Sequence, residues 1–165
     1  MVSDYKISVY STRLGIPLNF FVHTYVVTEH AGVKNRYDVF APLTLRNVTS
    51  IEPYNGIIYK NLLHPETGFL MWYEKKKWFQ EDTSVWRWNV QMDSITSGYA
   101  GSPAHKLYTM IEDGHLDSYP FKEIRDYKMV TGANSNTFVQ WVADLVPECN
   151  LTLPWNAWGK GYKRK

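Results

Sequence analysis

The chain has 165 residues and a mass of 19.3 kDa, with 44% hydrophobic and 21% charged residues, a balance that excludes disorder, collagen-like repeats and coiled coil as global descriptions. Its formal charge of +2 is uneven: Lys160, Lys163, Arg164 and Lys165 supply four of the 18 cations, leaving 14 against 16 anions in the residues before them. That distribution argues against a nucleic-acid partner, and the single Cys149 excludes an intramolecular disulfide and any zinc site with two thiolates.

The sequence reads as one domain over 1–165 with a basic tail from about residue 160, because no repeat, low-complexity stretch or linker divides it. Residues 20–28 are rich in β-branched and aromatic side chains and predict a strand. Phe21, His23, Tyr25 and Val27 share one face of it, and Phe20, Val22, Thr24 and Val26 the other. Both faces are largely apolar, as in a central strand covered on each side. Residues 29–35, with Gly32, read as a hairpin loop returning into a second strand near 36–41. Further short strands are expected within 43–63 and at 69–73 and 85–90. A helix follows with Ser102 as N-cap, Pro103 as its first residue and Gly114 as a stop, its apolar stripe being Ala104, Leu107, Tyr108 and Ile111. Residues 127–130 predict a short strand leading into a second helix over about 135–146, capped by Asn134 and ended by Pro147. Phe138, Trp141, Val142 and Leu145 form its buried stripe. The fold class is therefore α+β, an antiparallel sheet with at least two helices.

No stretch approaches 18 uninterrupted apolar residues, and the first residues lack a basic start followed by an apolar run, so neither a membrane span nor a cleaved signal is expected. A reducing, cytoplasmic setting follows as the expectation, and the Asn-X-Ser/Thr matches at Asn47 and Asn150 read as chance. His30, His64, His105 and His115 show no metal-ligand spacing, and no glycine-rich phosphate loop is present, so no metal or cofactor is expected.

The run Asn134-Ser135-Asn136-Thr137-Phe138 is followed by Trp141-Val142, Pro147-Glu148, Leu153-Pro154 and Gly159-Lys160-Gly161-Tyr162, and preceded by Val22-His23-Thr24-Tyr25, Arg36-Tyr37-Asp38-Val39 and Tyr119-Pro120. In this order the pieces resemble the signature of an uncharacterised domain family whose late motif reads Pro-Asn-Ser-Asn-Thr-Phe. More distantly they resemble circularly permuted papain-like enzymes of the lecithin retinol acyltransferase and desumoylating peptidase type. Those enzymes carry a catalytic His early, on a strand, and a Cys nucleophile late, at a helix start. The resemblance implies a papain-like fold with Ser135 in the place of that Cys and His23 as general base; Asp38 on the adjacent predicted strand is the candidate by residue type to orient the imidazole, its parity on the strand being open, and Asn134 or Asn136 is expected near the oxyanion. A peptide or a small amide or ester is the substrate class it implies. A serine hydroxyl, unlike a thiol, must lose its proton to a base during attack, so the chemistry depends on His23 reaching Ser135.

A different reading of the same residues stands beside this one. Asn134, Ser135 and Asn136 are all good capping residues, and a His on an apolar strand is commonly a core residue. The chain is then a papain-like binding module without chemistry, for a peptide, glycan or nucleic acid. Its surface would be the cleft or the segment around Trp72, Lys76, Trp78, Trp86 and Trp88, where lysines and tryptophans interleave. The late tryptophans Trp141, Trp155 and Trp158 are expected as core and docking surface that fasten the C-terminal segment behind Ser135.

Overall fold

The computed structural model describes residues 4–13, 21–39, 57–61, 90–128 and 132–162. Five strands, β1 Tyr5–Arg13, β2 Val22–His30, β3 Val33–Val39, β4 Ile58–Lys60 and β5 Val90–Gly98, form an antiparallel sheet in the order β4-β3-β2-β1-β5. Among the described residues two α-helices, α1 Pro103–Glu112 and α2 Ser135–Leu145, join the sheet in an α+β fold. Paired residues share a sheet face, so the register places Val9, Val26 and Tyr37 in one row, with Ile7, Thr28 and Asn35 in the next row on that face. This face packs on Ala104, Leu107 and Ile111 of α1 and on Phe138, Val139 and Val142 of α2. The first helix lies over β1 and β5, the second over β2 and β3.

The central strand lies where periodicity predicts it, and seven consecutive residues from Val22 to Thr28 are buried. Its hairpin partner starts earlier than expected. The loop predicted over 29–35 contracts to Ala31 and Gly32, both at positive φ (51° and 80°), the two-residue turn whose twist matches that of the flanking strands. Polar residues read as loop, Glu29, His30, Lys34 and Asn35, lie instead in the ladder, because side chains on the exposed end of a ribbon need not be apolar.

Strand β1 and nearly all of β5 were not anticipated. Their sequences, YKISVYSTR and VQMDSITSG, carry many small hydroxyl side chains that blunt the alternation. Of the expected strand at 127–130, Tyr127 forms an isolated bridge with Ala133, and residues 129–130 lie outside the described residues. The expected strands within 43–63 and at 69–73 and 85–90 lie outside the described residues, apart from β4, the residues next to it, and Val90 at the start of β5.

The helix boundaries agree with the punctuation. The Ser102 hydroxyl accepts from the His105 N–H at 3.2 Å, Pro103 opens α1, and Gly114 follows it at φ 92°. At its C-terminal end the Glu112 carboxylate reaches back to the sheet, accepting from Thr28 Oγ1 at 2.5 Å, Lys60 Nζ at 2.9 Å and Asn35 Nδ2 at 3.1 Å. Burial alone would raise this carboxyl, but the hydrogen bonds outweigh it and hold Glu112 below its ordinary range. Among the described residues no helix is long and apolar enough to cross a membrane.

Candidate functional site

The start of α2 is held by a double cap. Asn134, at φ −150°, is the N-cap, and its Oδ1 accepts from the backbone N–H groups of Asn136 at 2.9 Å and Thr137 at 3.2 Å. The Thr137 hydroxyl in turn accepts from the Asn134 N–H at 3.1 Å, closing a capping box. The same hydroxyl donates to the Gly159 carbonyl at 2.8 Å. Trp158 offers its carbonyl to both asparagines, 3.1 Å from Asn134 Nδ2 and 2.8 Å from Asn136 Nδ2. The C-terminal segment is thus fastened to the helix start through backbone carbonyls.

This arrangement corrects the reading of the late tryptophans. Trp141 packs against the core, whereas Trp155 is 86% exposed and Trp158 51% exposed. The Trp158 ring meets Phe21 edge-on at 4.8 Å, but the tether is its carbonyl.

Asn136 then joins the helix start to the sheet. Its Nδ2 donates to the Val22 carbonyl at 3.0 Å, and its Oδ1 accepts from Thr24 Oγ1 at 2.8 Å, the two residues on either side of His23. The β2–β3 ladder stops at the pair Val26 and Tyr37. Beyond it a side chain takes the place of a strand partner on each side: the Val22 carbonyl is met by Asn136, and the Val39 N–H by Asp38 Oδ1 at 3.0 Å. The first turn of α2 is therefore attached where the two central strands part.

Across that parting, His23 Nε2 lies 2.6 Å from Asp38 Oδ1. Asp38 is fully buried, and its Oδ2 accepts from Arg36 Nε at 2.9 Å and Nη2 at 2.5 Å. Burial alone would raise the Asp38 carboxyl, but the charges and hydrogen bonds of His23 and Arg36 prevail and hold it below its ordinary value. An ionised carboxylate only accepts, so the proton of this contact sits on Nε2. Arg36, also fully buried, stacks its guanidinium on Tyr25, 3.3 Å from the ring centroid. Asn61 pins the Arg36 backbone from both sides, accepting its N–H at 2.7 Å and donating to its carbonyl at 2.8 Å. Neither Arg36 nor Asn61 stands out in the sequence as a site residue. The signal for Arg36 is its spacing, since residues 36 and 38 of one strand share a face.

The sequence-predicted site residues therefore fall into two groups, linked by Asn136: by strand alternation His23 and Asp38 stand on the sheet face away from Val26 and Tyr37, whereas Ser135 opens the helix that packs on the Val26 and Tyr37 face. Asp38 and His23 are in contact, and Ser135 is the first residue of α2 with Asn134 and Asn136 around it. Both asparagine amides are engaged in structural hydrogen bonds, which leaves backbone rather than side-chain donors for an anion. The cap occupies the N–H groups of Asn136 and Thr137. The Ser135 N–H and hydroxyl have no hydrogen-bond partner among the described residues, and Ser135 is 3% exposed. Cys149 is buried on the turn after α2, and burial pushes its thiol up, away from thiolate chemistry. Among the described residues no group of three His, Cys, Asp or Glu side chains is placed to share a metal ion. Lys76, Trp78, Trp86 and Trp88 lie outside the described residues.

Residues 63–162, more than half of the chain, match the model of a family described as a protein of unknown function, DUF3750. Ser135 and its two asparagines fall within the matched span, and His23 and Asp38 precede it. No curated protein and no solved structure matches the chain.

Proposed function

We propose a hydrolase or acyl-transferase function for this chain, which belongs to the DUF3750 family, with an amide or ester as substrate and Ser135 as nucleophile in a permuted papain-like cleft. One observation carries the reading. In the run Asn134 to Phe138 every side chain but one serves the fold. Asn134 caps, Asn136 clasps β2, Thr137 closes the capping box and Phe138 fills the core. Ser135 is the exception, and it sits beside the clasp that flanks His23.

In this reading His23, whose strand position is on the face away from α2, takes the hydroxyl proton at Nδ1 through the parting of β2 and β3, because Nε2 faces Asp38, while Ser135 Oγ bonds to the substrate carbonyl carbon. Asp38, accepting from Nε2–H, stabilises the imidazolium. The tetrahedral oxyanion lies against the Ser135 N–H at the positive end of α2. As the carbon–nitrogen or carbon–oxygen bond breaks, His23 returns its proton to the leaving amine or alcohol. A water or acceptor alcohol then releases the acyl group from Ser135, again with proton transfer through His23.

The test is reaction with a fluorophosphonate probe, which labels activated serine. Labelling of the wild-type chain that is lost in both Ser135→Ala and His23→Ala is the expected result. Labelling that survives Ser135→Ala overturns the assignment. The second reading, a binding module of the same shape without chemistry, is favoured by the 3% exposure of Ser135 and by a hydroxyl where the resembling enzymes carry a thiol. It predicts no labelling of the wild-type chain.

A further inference from the structure

An Asp–His contact of 2.6 Å favours a proton held on the pair, because a lone buried carboxylate stabilises the imidazolium. Arg36 changes that balance. Its guanidinium places Nε and Nη2 on Asp38 Oδ2, the oxygen that His23 does not use, and with Arg36 and Asp38 both almost wholly inaccessible water screens this charge little. Arginine is charged throughout the accessible pH range, so Arg36 and Asp38 together are neutral and the buried trio carries no net charge when the imidazole is neutral. Two further contacts hold the guanidinium in place, the Tyr25 ring beneath it and Asn61 on its backbone.

We infer that Arg36 is a positioning residue whose fixed charge keeps the His23–Asp38 pair without an extra proton near neutrality, so that the imidazole stands ready as a base. The inference rests on the reading of His23 as the base of the site. Removing the guanidinium leaves one unbalanced negative charge in a buried place, and the pair answers by taking up a proton. Whether that proton settles on the ring or on the carboxyl, the base is lost over the same pH range.

The other titratable or charged groups facing this pair, among the described residues, are Tyr25 on β2, Tyr59 opposite Asp38 on β4, and Tyr127 ahead of α2. Beyond them lie Tyr10 on β1, stacked on Tyr25, and Asp93 on β5, which acts on Tyr25. Burial pushes Tyr25 and Tyr59 up and Tyr127 up to about 12, so these three stay uncharged over the range tested. Burial raises Asp93 also, against a hydrogen bond from Ser11. The first turn of α2 brings no acidic residue.

The experiment follows the rate of fluorophosphonate labelling against pH and, in parallel, the titration of the His23 ring by NMR, in the intact chain. In Arg36→Met the acid limb of labelling and the proton uptake of the pair both move to higher pH, by about 1 unit or more. In Arg36→Lys, which keeps the charge and loses the fork, both stay near the wild-type position. An unmoved titration in a folded Arg36→Met protein overturns the inference, as does an equal upward shift in both variants, since a merely structural arginine would not separate them. Should Arg36→Met fail to fold, Arg36→Gln, which keeps side-chain N–H donors but no charge, is read in its place: the same upward shift is expected, and an unmoved titration refutes the idea. A wild-type chain that the probe does not label sinks the nucleophile, whereas the NMR titration still decides the role of Arg36.

Discussion

Asn136 is the residue on which the candidate site depends most. Its amide makes three side-chain hydrogen bonds from a 3% exposed position, to Val22, Thr24 and Trp158, and so joins three segments far apart in the chain. Asn136→Ala leaves two carbonyls and a hydroxyl without their partner and is expected to destabilise the fold by about 2–3 kcal/mol. The measurement is a urea midpoint. Asn136→Ser, which leaves part of the polar capacity in place, should cost less, and equal midpoints for wild type and Asn136→Ala would remove the clasp from the account. On the proposed reading, Asn136→Ala should also lower fluorophosphonate labelling of the folded protein, because the clasp ties the helix start to the two residues that flank His23.

At the scale of elements, the informative pieces are the end of β2, the first turn of α2 and the C-terminal segment. Gly159 shows how closely they approach. It sits at φ 93°, and a Cβ placed on it would lie 2.5 Å from Asn134 Nδ2 and 2.7 Å from Oδ1, the amide that caps the helix. Gly159→Ala therefore incurs a positive-φ penalty and also pushes the cap off the Asn136 and Thr137 N–H groups, with an expected loss of about 1–3 kcal/mol. Gly161→Ala, two residues on and with open space around its Cβ position, serves as the control and should lie close to wild type. A thermal melt distinguishes the two, and equal melting temperatures would show that the segment yields freely. The hairpin illustrates the opposite case, where two residues at positive φ suffice and the residues around them extend the strands.

For the whole molecule, two carboxylates, the buried Asp38 and the partly buried Glu112, link stability to pH. Glu112 ties the end of α1 to β2, β3 and β4, and Asp38 lies between His23 and Arg36. Both are held below their ordinary ranges, so the unfolded chain binds their protons more readily than the folded one. The stability they provide is complete above the ordinary carboxylate range and is lost as pH falls through their lowered folded values. The urea midpoint of the wild type should accordingly drop on acidification, and that of Glu112→Gln should drop less over the same interval; parallel curves would contradict the linkage. Much of this architecture was legible in the sequence. The central strand, both helices with their caps, the α+β class and the polar run at the start of α2 all follow from periodicity, turn chemistry and side-chain type, which act over a few residues. The strands β1 and β5 were not legible, since small hydroxyl side chains carry little alternation and their burial is decided by neighbours. Nor was the contact of His23 with Asp38, because strand parity across a hairpin depends on where the turn lies, and a two-residue turn differs there from a longer loop. From the sequence come the residues with the chemical means, a serine at a helix start, an early histidine and a nearby carboxylate. Their surroundings belong to the tertiary fold: Arg36 beneath Asp38, Asn136 across the parting of β2 and β3, and the Trp158 carbonyl over the helix cap. These are contacts between segments that local propensity does not relate, and only packing brings them to one place.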